Sequence, residues 1–164
     1  MQINQQISKV LNDTFDHSIK LISGLSEESI NEKPEDQGWT VGQIVDHILI
    51  SSSGIPDSQT EEINRPFDEL VPVIDKIFLD FKTKYQADPS QLPRKDVYEK
   101  DDLIKKLKNC KTNLLVDIND KDLTLLCKDM EFPQIGYLTR YEWLSFINVH
   151  VQRHNHQIEN TSGS

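Results

Sequence analysis

GYLTRYEWLSFINVHVQRHNHQI, residues 136–158, decides the fold. Pro133 and Gly136 mark a turn ahead of it, and Thr139 with Glu142 has the T-x-x-E form in which two side chains satisfy free backbone donors at a helix start. From there Trp143, Phe146, Ile147, His150, Val151, His154 and Ile158 recur at intervals of three and four, the spacing of one inward face of a helix. Two histidines therefore share the apolar stripe one turn apart. His156 lies about 200° round the helix from His154 and belongs to the outside.

Three more helices follow from the same reasoning. Ile3, Ile7, Val10, Leu11, Phe15, Ile19 and Ile22 give an amphipathic helix over 3–22, capped by Gly24, with His17 pointing away from the stripe. Thr40 and Gln43 form a second capping box, opening a helix through Val41, Ile44, Val45, Ile48 and Leu49 that the SSSGIP run at 51–56 stops. His47 lies on it, about 110° from the stripe centre, at the edge of the core. Asp101 and Asp102 start a third helix, whose stripe runs Leu103, Ile104, Leu107, Cys110, Leu114, Leu115 and Ile118. Residues 56–100, with five prolines, hold no sustained period beyond a short helical piece at 74–85, so they read as a long crossover covering part of the bundle. The expected class is all-α, an antiparallel four-helix bundle with a long crossover between helices 2 and 3. Residues 1–160 make a single helical domain and 161–164 a frayed tail.

The chain has 164 residues and a net charge of −9, with pI near 5.0. That field opposes binding to nucleic acid or to acidic lipid surfaces. No stretch approaches the roughly 18 apolar residues of a membrane span, and the N-terminus lacks a signal-peptide pattern. Two cysteines, Cys110 and Cys127, make no disulfide framework, which fits a reducing cytoplasm. Cys110 on its stripe reads as a small buried hydrophobe.

Stacked at i and i+4, His150 and His154 can present two imidazole nitrogens to one point, and His47 is the remaining helical histidine near an apolar face. On spacing alone the pair fits hydrogen-bonded core histidines more readily than ligands. The surrounding residues add a resemblance. Trp39, Thr40, Gln43 and His47 in GWTVGQIVDHI (38–48), and Gly136, Leu138, Thr139, Glu142, Trp143, His150, His154, Gln157 and Ile158 in the second block, are similar to the two signature blocks of the DinB-like superfamily. The resemblance implies a four-helix bundle of the DinB/YfiT type in which His47, His150 and His154 bind a divalent metal, nickel or zinc. It also implies the chemistry of relatives that use low-molecular-weight thiols: a thiol S-transferase, bacillithiol-like, acting on small electrophiles.

The alternatives are a metal-dependent hydrolase that activates water, with Asp46 or Glu142 as base, and a non-catalytic stress-related bundle with a vestigial site. Glu142 already has a structural role in the capping box, and Asp46 adjoins the ligand in sequence only. Arg153 is a candidate for an anionic cofactor, against the plainer reading of a surface ion pair, and Gln157 a candidate donor to a ligand imidazole. Tyr137 and Trp143 read as packing residues. The expected partners are a small-molecule substrate and, along a helix pair, a second copy of the chain.

Overall fold

The computed structural model describes residues 2–162. Its helices are α1 (Gln2–Ser23), α2 (Glu27–Ile30), α3 (Val41–Ser51), α4 (Val71–Phe78), α5 (Lys100–Asp120) and α6 (Arg140–Thr161). The fold is all-α: α1, α3, α5 and α6 form the bundle, with α1 and α3 each packed against both α5 and α6. Of the expected tail, Thr161 completes α6, and 163–164 lie outside the described residues.

The capping boxes set both site helices in place. Thr40 Oγ1 accepts from Gln43 N at 3.1 Å while Gln43 Oε1 accepts from Thr40 N at 3.0 Å. Thr139 and Glu142 repeat the exchange at 3.1 and 2.9 Å. The apolar stripes then meet in one core that includes Leu11, Phe15, Ile44, Ile48, Leu107 and Ile147. Val10 stands exposed, whereas two polar residues of α1 are buried. Thr14 and Ser18 donate to Asn148 and Asn155 of α6, each at 2.6 Å, and Asn155 Nδ2 donates back to the Thr14 carbonyl at 3.1 Å. A hydrogen-bonded ladder thus replaces apolar packing along the α1–α6 seam, because a buried hydroxyl with a partner costs little.

The helix directions differ from the expected antiparallel arrangement. Asn4 of α1 donates to the Ile118 carbonyl near the end of α5, and Lys100 at the start of α5 reaches the Ser23 carbonyl, so these two helices run antiparallel. The ladder pairs 14 with 148 and 18 with 155, so α1 and α6 run parallel. Likewise Asp46 meets Tyr98 just ahead of α5, and Ser52 meets Cys110 further along it, so α3 and α5 run parallel too. A parallel neighbour cannot be reached by a short turn. The chain must travel back from beside Cys110 to the start of α5 at Lys100, ten residues of helix or about 15 Å at 1.5 Å per residue, so a crossover replaces a tight turn.

That crossover carries its own structure. It contains α4, which packs on α6, and a 3-10 turn at Pro89–Gln91 against α3. It also holds a strand that the sequence does not announce, β1 (Thr60–Glu61), paired antiparallel with β2 (Leu126–Cys127). Glu142, fully buried, anchors it to α6: Arg65 donates to both carboxylate oxygens at 2.8 and 2.9 Å, and Leu70 N donates at 2.7 Å.

Candidate metal centre

His47 comes from the middle of α3, and His150 and His154 come from successive turns of α6. Because α3 and α6 pack together, the three rings face one another. His47 Nε2 is 3.4 Å from His150 Nε2, and His154 Nε2 is 3.1 Å from His150 Nε2. One ring nitrogen from each residue lies within 4.8 Å of the other two. Nitrogens bound to one ion at about 2.1 Å, with angles of roughly 90–110°, sit about 3.0–3.4 Å apart.

The opposite nitrogens are all tied outward. His47 Nδ1 lies 2.8 Å from the Gln91 carbonyl and His154 Nδ1 lies 2.7 Å from Gln157 Oε1. The Gln91 carbonyl can only accept, so His47 carries its proton on Nδ1, and Gln157 Oε1 in this position accepts from His154 Nδ1 in the same way. Ser51 Oγ donates to the His47 carbonyl at 2.8 Å and lies 3.3 Å from His150 Nδ1. The three Nε2 atoms are thus left facing one point, and with the protons on Nδ1 their lone pairs converge there. Such a buried arrangement is repulsive by itself and suits a cation.

Electrostatics keeps the rings neutral. Burial, with the neighbouring imidazoles adding to it, pushes His150 well below the usual histidine range. The same two causes bring His154 down to about 4, although its bond to Gln157 works the other way. Burial also lowers His47, against the opposing pull of the Gln91 carbonyl and Asp46. Neutral imidazole is the form that ligates. The residues present therefore fit a divalent cation.

The carboxylates considered as bases are elsewhere. Asp46 is buried, but it faces Arg94, which pairs with it through side chain and backbone, and Tyr98, whose hydroxyl donates to it at 2.8 Å. Burial alone would raise the Asp46 pKa; the Arg94 and Tyr98 hydrogen bonds outweigh it and hold the carboxyl low. Gly42 is needed here, since a Cβ on it would come within 2.7 Å of the Tyr98 ring. Glu142 is occupied by its cap and by Arg65.

Arg153 is drawn neither into an ion pair nor toward the imidazoles. Its guanidinium donates to the carbonyls of Phe78, Asp80 and Thr83 and lies over the Tyr85 ring at 5.0 Å, pinning the crossover beside the site. Gln157 touches an imidazole but accepts from it, where the sequence suggests a donor. Tyr137 lies under Lys128 Nζ at 3.7 Å, and Trp143 packs on Phe132 and Phe146.

The sequence reading misses Gln91 and Ser51. Gln91 contributes a main-chain carbonyl, for which no side-chain signal exists. His47, expected at the core's edge, is 3% exposed because the 3-10 turn covers it and Trp39 packs on it at 5.1 Å.

Residues 11–158 match the DinB superfamily. The chain belongs to that superfamily. It is also similar to the uncharacterized protein YuaE of Bacillus subtilis (strain 168), 24% identical over 143 residues that cover 84% of this chain and 86% of the relative. No solved structure matches it. The helical architecture is thus that of a DinB protein, and among the described residues no helix is long and apolar enough to cross a membrane.

Proposed function

We propose that this DinB protein is a divalent-metal enzyme, holding nickel or zinc through His47, His150 and His154, that transfers a low-molecular-weight thiol to small electrophiles. One observation carries the reading: every Nδ1 has an outward polar partner, a carbonyl oxygen for His47 and His154 and a hydroxyl for His150, so all three Nε2 atoms are left to face a common centre. When bound, the metal supplies a Lewis acid that favours the thiolate form of a coordinated thiol. In the reaction a sulfur–carbon bond forms while the bond from that carbon to its leaving group breaks, and the thiol proton is released with the leaving group.

The protein's own part is to hold the imidazoles neutral and oriented, and to shield the centre with Trp39, Phe78 and Phe146. The thiol must come from outside the chain. Burial pushes the Cys110 thiol up to about 11, and burial reinforced by Asp57 pushes Cys127 up to about 12, so neither is a ready nucleophile. Hydrolysis is the weaker reading, because Asp46 and Glu142 are both held in ion pairs away from the imidazoles.

Metal analysis of the purified protein, coupled to an assay of thiol transfer to an activated aryl halide, tests the proposal. One ion per chain is expected, lost in His150→Ala together with transfer. Unchanged metal content in that variant rejects the site, and full transfer without metal rejects the mechanism.

A further inference from the structure

The cleft that contains the three imidazoles, about 1870 Å³, has one strongly aromatic side. Phe146 stacks on His150 with ring centroids 5.1 Å apart and planes at 22°. Phe78 stands edge-on to Phe146 at 5.0 Å and to His150 at 6.1 Å, and Phe132 stands edge-on to Phe146 at 4.9 Å. None of the three phenyl rings is fully buried, and all three line the cleft. Among the described residues nine large apolar side chains stand exposed, and four of them, Phe81, Tyr85, Leu92 and Met130, line this same cleft. Single exposed apolar residues are ordinary; a group of them around a cleft beside an aromatic wall marks a binding surface.

Charge narrows the occupant. The cations of the cleft give little hold on a highly charged ligand: Lys33 and Lys84 share the lining with Glu32, Glu35, Asp36 and Asp88, and Arg153 is engaged by backbone carbonyls.

We propose that the electrophile or ligand taken beside the imidazoles is a small molecule carrying an aromatic or similarly flat apolar group, with at most one negative charge. That group lies against Phe78, Phe132 and Phe146 while the polar end of the molecule reaches His47, His150 and His154. This rests on the metal reading above and extends it to a substrate class.

The test uses the full chain loaded with cobalt(II), and compares acetohydroxamate with benzohydroxamate by calorimetry. Both present the same chelating atoms, and a small tris-imidazole cobalt complex gives their intrinsic difference. Relative to that complex, benzohydroxamate should bind about tenfold more tightly than acetohydroxamate, the scale of one well-packed ring. Phe132→Ala should remove most of this preference and leave acetohydroxamate binding unchanged; Phe132→Leu, which keeps a large apolar side chain there, should remove the part that depends on ring stacking. A preference no larger than that of the small complex overturns the inference alone, as does one that survives both substitutions. A preference abolished when the chain dimerises, measured by sedimentation across concentration, assigns the apolar surface to a second copy and overturns it too. A chain that takes up no cobalt overturns the metal reading and the inference with it.

Discussion

At the scale of single residues, the site depends on which nitrogen of each imidazole carries the proton. For His154 that choice rests on one side chain, since Gln157 Oε1 accepts the Nδ1 proton at 2.7 Å. Gln157→Leu removes the acceptor, lets the ring turn or change tautomer, and should weaken metal binding about 10–100-fold. Gln157→Glu keeps an acceptor and adds charge, so its affinity should equal or exceed that of the unaltered protein. Competition against a chromophoric chelator measures both, and equal affinity in the Leu variant would show that helix packing alone orients the ring. His47 allows no such test, because its partner is the Gln91 main chain.

At the scale of elements, the crossover is held to α6 by a buried carboxylate. Glu142 accepts from Arg65, from Leu70 N and from its own cap, leaving neither oxygen free. Removing one partner from a buried pair strands the other charge, so Arg65→Ala should cost about 3 kcal/mol of stability, read from urea unfolding. A loss under 1 kcal/mol would mean that the backbone donors suffice. The capping boxes, the stripes and the two-histidine face of α6 were legible in the sequence because each is local, set by residues three or four apart. His47 was legible as a candidate through the resemblance of its block, while its burial was not, because the covering turn comes from more than forty residues away. The parallel pairing of α3 with α5 and the short β1–β2 pair were closed to local reading for the same reason: both depend on where the crossover goes. The Thr14 and Ser18 ladder was hidden because polar residues on a stripe look like interruptions until their partners are known.

At the scale of the whole molecule, Asp57 joins three segments that are distant in sequence. Its carboxylate takes Arg140 at the start of α6 at 2.8 Å and Lys121 at the end of α5 at 3.0 Å, while itself standing near the start of the crossover. Burial would raise its pKa, but the hydrogen bonds from Lys121 and Arg140 win, and the carboxyl is held below its ordinary value. A carboxyl that ionises more readily in the folded chain than in the unfolded one adds stability once the pH is above the unfolded value, near 4. That increment disappears as the pH falls through the lower folded value. Asp57→Asn should therefore be less stable than the unaltered protein by about 2 kcal/mol at neutral pH, the worth of hydrogen bonds to a charged group. The two unfolding curves should converge between pH 4 and the acid limit of the folded state. A gap that stays constant down to that limit would mean that the carboxamide loses packing rather than charge, and that the three segments are joined here by shape alone.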